Sequence, residues 1–244
     1  MKTERVELQP AYILHHRPYR NSSRLLEVFS RDHGRFGMVA RGVSSRRSPL
    51  QGRLQPFRPL LLSWYSRGEL ATMKGAEPDG APLPLSGAVL MSGFYLNELL
   101  LRLTWRHVGY PRLYRIYHQT LSRLGEHRVD QEALRLFECR LLEQLGYGMI
   151  LDHDVESGLP VQADAHYCYH IEHGPVKIGV RQGCPLPVTG ATLLALANGI
   201  LRDERSLKEA RYLMRAVLSF YLGDKPLRSR ELFRNLESLP NQYY

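Results

Sequence analysis

The sequence predicts an α+β protein whose first 80 residues close into a small β-barrel and whose remainder is mostly α-helical. Three observations predict it. Five short runs rich in β-branched, aromatic or aliphatic residues fill positions 5–77. A cluster of chain breakers, Pro78, Gly80, Pro82 and Pro84, then ends that pattern. Beyond it, apolar residues recur at helical spacing, with capping residues before the runs and glycines after them.

In the first run Tyr12, Leu14 and His16 fall on one face. Leu25, Leu26, Val28 and Phe29 make the second. After the Asp32-His33-Gly34 turn signal, Phe36, Met38 and Ala40 alternate in a third. Leu60, Leu61, Leu62, Trp64 and Tyr65 form the fourth, and Leu70, Thr72 and Lys74 begin a fifth after the Arg67-Gly68 turn. Five short strands in so few residues cannot bury an open sheet. Closure into a barrel removes the exposed edges, and the five-stranded OB-fold is the small barrel that fits.

The breaker cluster divides the chain into a barrel domain, 1–80, and a helical domain, 81–244. Ser86 stands where a cap belongs for a helix running to about Thr104, apolar nearly all round and therefore buried. Ser92, Gly93, Asn97, Glu98 and Arg102 interrupt that stretch, so it is a core helix and not a membrane span. Pro111 opens a second helix ending near Gly125. Asp130 caps a third, in which Leu134, Phe137, Leu141 and Leu145 keep helical spacing up to Gly146. Residues 147–188 lose the period and read as a loop-rich insert with one short hairpin. Helices resume at about 190–198 and 206–222, the latter opening on the capping-box spacing of Ser206 and Glu209. A last short helix covers about 227–237.

The net charge is +9 and it is unevenly spread. Residues 1–80 hold 14 Lys and Arg against 7 Asp and Glu, so most of the surplus sits on the barrel. A basic surface of this kind attracts polyanions. The segment Arg41-Gly-Val-Ser-Ser-Arg-Arg-Ser-Pro-Leu-Gln-Gly-Arg53 is basic, small and flexible, and lies between two strands. With Arg31, Arg35 and Arg58 it offers seven guanidinium forks for phosphate: Arg31, Arg35, Arg41, Arg46, Arg47, Arg53 and Arg58. Tyr19, Phe36, Phe57, Trp64 and Tyr65 lie among them; each is either barrel core or a stacking surface for bases.

No G-x-x-x-x-G-K-[ST], G-x-G-x-x-G or H-E-x-x-H motif is present, which argues for a binding protein over an enzyme. The insert is zinc-finger-like in position only. His166, Cys168 and His170 alternate, but no Cys-x-x-Cys exists, so no metal and no cofactor is expected. Three cysteines, Cys139, Cys168 and Cys184, with no export signal in the leading residues, suit a reducing cytoplasm.

Several stretches resemble the RecO family in its Gram-negative form. They are Tyr12-Ile-Leu-His-His-Arg-Pro-Tyr19, Arg41-Gly-Val-Ser-Ser-Arg-Arg-Ser48, Leu54-Gln-Pro-Phe-Arg-Pro-Leu-Leu-Leu62, Leu83-Pro-Leu-Ser-Gly87, Tyr95-Leu-Asn-Glu-Leu-Leu100, Leu145-Gly-Tyr-Gly148 and, most specifically, Tyr221-Leu-Gly-Asp-Lys-Pro-Leu-Arg-Ser-Arg-Glu-Leu-Phe-Arg234. The resemblance implies a mediator of DNA repair and recombination, cytoplasmic and nucleoid-associated. Such a protein binds single- and double-stranded DNA, anneals complementary strands, contacts the acidic C-terminal tail of single-strand-binding protein and, with RecR, helps load RecA. The chain departs from the four-cysteine zinc site of many members, so that metal is not carried over. An acidic tail ending in an apolar residue needs cations beside a greasy groove. Arg135, Phe137 and Arg140 on the third helix form one candidate patch; Lys208, Arg211 and Arg215 form the other. Two rival classes are an RNA-binding OB-fold protein of translation or ribosome assembly, and a hydrolase whose site is dispersed along the chain.

Overall fold

Strand β1 (Glu4–Tyr19) is long enough to serve two partners. Its first half pairs antiparallel with β4 (Leu60–Ser66) and its second with β2 (Ser23–Ser30). Register shifts between Val6 and Gln9, and between Ile13 and His15, accompany the change of partner, as bulges do where a barrel bends. Strand β3 (Gly34–Ala40) continues the hairpin from β2. It meets β5 (Leu70–Pro78) in parallel, which closes the order β1-β2-β3-β5-β4 into a barrel. This is the strand order of the OB-fold read from the sequence. The computed structural model describes residues 4–43, 50, 52–126, 130–179 and 183–229.

Alternation fills the barrel: Ala11, Ile13, Leu26, Val28, Phe36, Met38, Leu62 and Trp64 point inward. Yet β1 is buried on its other face as well, at Tyr12 and Leu14, and so is Phe29 on β2. The cover comes from helices α1 (Gly87–Leu103) and α2 (Pro111–Gly125). Tyr12 stacks edge-on to Tyr117 at 5.1 Å between ring centroids and lies 5.7 Å from Tyr114; Phe29 meets the same two rings. Burial pushes the phenols of Tyr12 and Tyr114 well above their ordinary range, so they stay neutral donors. Tyr12 shares a 2.6 Å hydrogen bond with Nδ1 of His118. Asn97 of α1 ties three elements together. Its Nδ2 donates to the Leu14 carbonyl at 2.8 Å, and its Oδ1 accepts from the Tyr117 hydroxyl.

By packing, the barrel and these two helices belong to one compact unit of two. One comprises Met1–Val129 with Leu227–Tyr244, the other Asp130–Pro226. In the first, the chain's return is anchored at Glu98, whose carboxylate accepts from the backbone N–H groups of Arg228 and Ser229 and from the Ser229 hydroxyl. That is an acidic side chain at a helix start, where the orphan donors are. The rest of the helix expected to run to 237 lies outside the described residues.

The second unit holds α3 (Gln131–Gln144), a three-stranded sheet in the order β7-β6-β8, and helices α4 (Gly190–Asn198) and α5 (Glu204–Leu222). Asp130 caps α3 as expected, accepting from Ala133 N at 2.8 Å. The insert carries the expected hairpin, β6 (His166–His170) with β7 (Gly174–Ile178), and adds β8 (Pro187–Thr189) on the other side of β6. Three readings need correction. Ser86 stands at the N-cap of α1, but its side chain caps nothing. Helix α5 starts two residues early, because Asp203 is its cap and accepts from Ser206 N. Glu209 consequently makes no capping box; its carboxylate accepts from the backbone and hydroxyl of Thr189 and from the Thr192 hydroxyl, fastening α5 to the start of α4. The third concerns thiols. Cys168 and Cys184 form a disulfide, their Cα atoms 5.6 Å apart, because β8 lies against β6 and brings the preceding chain across it. Cys139 alone is free; burial raises its thiol to about 11 and keeps it unreactive at neutral pH.

Asn97 is the test of how the first unit is held. Asn97→Leu removes both of its hydrogen bonds, to the Leu14 carbonyl and from the Tyr117 hydroxyl, in a buried seam, at a cost of about 1–3 kcal/mol. Tyr117→Phe removes one bond only and costs less. Urea midpoints of the two variants check the order.

Candidate nucleic-acid interface

Seven barrel arginines were expected to form one contact surface. The structure separates them. Arg31 and Arg35 flank the β2–β3 turn, whereas Arg41 leaves the far end of β3. Six residue steps of extended chain, about 20 Å, separate Arg35 from Arg41. Arg53 is exposed and Arg58 half-buried in the connection to β4. Arg46 and Arg47 lie outside the described residues.

The register reveals a group at the Arg41 end that sequence reasoning passed over. Pro18 faces Arg24 across the β1–β2 hairpin, and Arg24 faces Ala40 on β3. Arg17, Arg20, Arg24 and Arg41 are thus brought to one end of the barrel. Arg20 turns the hairpin with φ of 53° and lays its guanidinium 5.3 Å from the centre of the Tyr19 ring. Nη1 of Arg24 is buried with no hydrogen-bond partner among the described residues. Arg41 apart, the trace of this group in the sequence is the overall surplus of positive charge, because its members are spaced by pairing and not by sequence. The turn between β1 and β2 is one of the loops five-stranded OB barrels use for oligonucleotides.

Arg35, unlike the exposed arginines, is turned inward. Its side chain is 13% exposed and each of its three nitrogens is bound. Nη1 donates to Glu27 at 2.6 Å, Nε to the Thr104 hydroxyl and Nη2 to the Thr104 carbonyl. It is a clamp that holds the α1–α2 connection against the barrel. Arg31 keeps its exposure but forks onto Asp32, which lowers the Asp32 carboxyl below its usual range chiefly through that hydrogen bond. Of the five aromatics, Phe36, Phe57 and Trp64 are core, with Phe36 and Trp64 packed 5.0 Å apart; Tyr19 and Tyr65 reach the surface.

The two candidate partner patches separate as clearly. Arg135 is buried and ion-paired with Glu138 at 2.8 Å, and Phe137 is in the core. Arg140 is exposed but engaged by Glu143 one turn on. The α3 patch cannot present both a cation and a greasy surface, because its apolar residues serve the interior. On α5, Lys208, Arg211 and Arg215 are exposed on one side, with Tyr212 55% exposed between them. Among the described residues, Lys208 of the three pairs with a carboxylate, that of Glu204. In the insert, Cys168 is committed to its disulfide, and no group of three or more His, Cys, Asp or Glu side chains able to hold a metal ion occurs among the described residues. No described helix is long and apolar enough to cross a membrane.

Residues 1–80 match the family profile described as recombination protein O N terminal, and residues 84–231 match recombination protein O C terminal. The chain is 53% identical over 242 residues to the DNA repair protein RecO of Alkalilimnicola ehrlichii, covering 98% of this chain and 96% of that one. It is 49% identical to the protein of the same name from Nitrosococcus oceani, covering 97% and 96%. The counterpart in Coxiella burnetii is 44% identical, covering 94% of this chain and 99% of its own.

The clamp at Arg35 depends on a glycine next to it. A Cβ at Gly34 would lie 1.8 Å from the Val108 carbonyl oxygen, and its φ of 64° is left-handed. Gly34→Ala should therefore cost about 2 kcal/mol or more and free the 104–109 connection from the barrel. Hydrogen exchange at the His107 amide, which donates to the Arg35 carbonyl at 2.9 Å, reports the release directly.

Proposed function

This chain belongs to the recombination protein O family of DNA repair proteins, and from that premise we propose that it is a non-catalytic mediator of recombinational repair. It binds single- and double-stranded DNA through its barrel and anneals complementary strands. It engages the acidic tail of single-strand-binding protein and, with RecR, helps RecA onto coated DNA in the cytoplasm, at the nucleoid. The observation that carries this reading is the concentration of positive charge on a closed five-stranded barrel, with Arg17, Arg20, Arg24 and Arg41 gathered at one end. Backbone phosphate is what such a surface recognises, and it is read without regard to sequence.

The main strand contact is assigned to that barrel end together with the 41–53 segment, including Arg46, Arg47 and Arg53. Log affinity for single-stranded DNA then falls with log salt at about 0.7 per phosphate contact. Replacing Arg46, Arg47 and Arg53 with Ala flattens the slope by about 2. A salt series of binding isotherms, wild type against variant, measures it; superimposable slopes in a folded variant place the contact elsewhere. An RNA strand of equal length as competitor separates the DNA reading from a translation or ribosome-assembly role.

The acidic tail is assigned to α5. Arg211 and Arg215 supply charge and Tyr212 an apolar face. Arg211→Glu with Arg215→Glu should weaken a tail peptide by at least about tenfold, the scale of losing two charge-assisted contacts. Naked single strands should still bind. Fluorescence anisotropy with a labelled peptide is the measurement, and full peptide affinity in the double variant rejects the assignment.

A further inference from the structure

Trp105 is the most exposed large apolar side chain of the described residues, at 68%. Nothing in the proposed function uses it. It stands in the α1–α2 connection, 104–110, and that connection is fixed on both sides of it. Thr104 is held by the Arg35 clamp. Arg106 bridges to the backbone of Arg35, and His107 donates to the Arg35 carbonyl. The Val108 carbonyl rests on Gly34, and Gly109 lies so close to Asp32 that a Cβ would come within 2.3 Å of its carbonyl oxygen. A tryptophan on a loop tied at four points loses little conformational freedom on binding, which is what an aromatic anchor needs.

The connection meets the outer face of β2 and β3 through Arg106, the residue after Trp105. Leu26, Val28, Phe36 and Met38 fill the barrel, so Glu27 and Gly37 face outward. Arg106 donates to Glu27 at 2.9 Å and passes within 4 Å of where a Gly37 Cβ would stand, next to Leu70 at the start of β5. Glu27 already pairs with Arg35, so one carboxylate serves two guanidiniums and the site keeps a positive surplus. The neighbouring sequence is basic as well. Between Glu98 and Glu126 the sequence holds Arg102, Arg106, Arg112, Arg115 and Arg123 and no Asp or Glu. The face of strands 2 and 3, with the loop between strands 4 and 5, is where OB barrels of this order lay single-stranded nucleic acid.

We propose that Trp105 is a base-stacking platform for single-stranded nucleic acid, set by the Arg35 clamp beside the β2–β3 face and flanked by Arg102 and Arg106. This rests on the nucleic-acid reading of the barrel and extends it to a residue outside the barrel sequence. An aromatic face takes any base, so the platform adds affinity for unpaired strands without sequence preference. A duplex, whose bases are already stacked, gains nothing from it.

The chain has two tryptophans; Trp64 is buried in the barrel and gives a constant background, so the strand-dependent change in emission reports Trp105. Titration with an oligo-dT strand should quench the emission of the wild type, and the quench should vanish in Trp105→Phe. Trp105→Ala should lower affinity for oligo-dT about tenfold or more, the scale of one lost base stack. Trp105→Phe should keep most of the affinity. The salt slope and the affinity for a duplex should not change in either, because stacking releases no counterions. The side chain is exposed and the clamp acts through Thr104 and backbone groups, so both variants keep the wild-type melting temperature. Unchanged oligo-dT affinity in Trp105→Ala, with emission of the wild type indifferent to the strand, overturns the proposal while leaving DNA binding by the barrel intact. The same result joined to a lost complex with RecR assigns Trp105 to protein docking and overturns it equally. A wild type that binds no single strand at any salt overturns this and the barrel reading together.

Discussion

The fold of the first unit depends on burying both faces of one strand. Alternation along β1 sends Ala11 and Ile13 into the barrel and leaves Tyr12 and Leu14 on the outside, where an ordinary half-exposed strand would carry polar residues. Tyr12 and Phe29 therefore need a cover, and Tyr114 and Tyr117 of α2 provide it. Edge-on ring packing contributes about 0.5–1.5 kcal/mol per pair beyond the area buried. Asn97 then bonds the Leu14 carbonyl and the Tyr117 hydroxyl within this buried seam. Barrel and helices are one cooperative body for that reason, although they derive from different segments of the sequence.

The same docking creates the surface on the barrel's flank. Once α1 and α2 sit on β1 and β2, the connection between them must run past the β2–β3 turn. Gly34 and Gly109 permit that passage at van der Waals distance, and Arg35 fills the role of clamp. A largely buried guanidinium whose three nitrogens are all bound to Glu27 and Thr104 is held away from phosphate. Charge alone does not distinguish such an arginine from a contact residue; burial and partners do. Arg41 and Arg53 remain exposed, and the hairpin end around Arg20 and Arg24 becomes visible only through strand pairing.

In the second unit, two apolar-looking helices divide between structure and surface. Helix α3 is committed to the interior, its Arg135 neutralised by Glu138 at a depth where an unpaired charge would be prohibitive. Helix α5 buries Leu213, Met214, Val217 and Leu218 and leaves Arg211, Tyr212 and Arg215 outside. The disulfide between Cys168 and Cys184 stands across the sheet, at the place where metal ligands were weighed, and it answers the thiol count of the chain by pairing two and burying the third.

By itself the sequence determined the five strands and their closure into a small barrel, the helix starts at Pro111 and Asp130, the basic character of the first 80 residues and the family. Each of these is local or compositional: periodicity, capping chemistry and charge are written in neighbouring residues. The sequence misjudged the start of α5, because Asp203 and Ser206 both make good caps and only the helix's length chooses between them. Tertiary structure alone decided that Arg35 is a clamp, that Arg135 is buried, that Arg17, Arg20, Arg24 and Arg41 share one end of the barrel, and that Trp105 is held out beside it. All four follow from contacts between residues far apart in sequence or on paired strands, and no pattern within a single segment encodes which partner a side chain will meet.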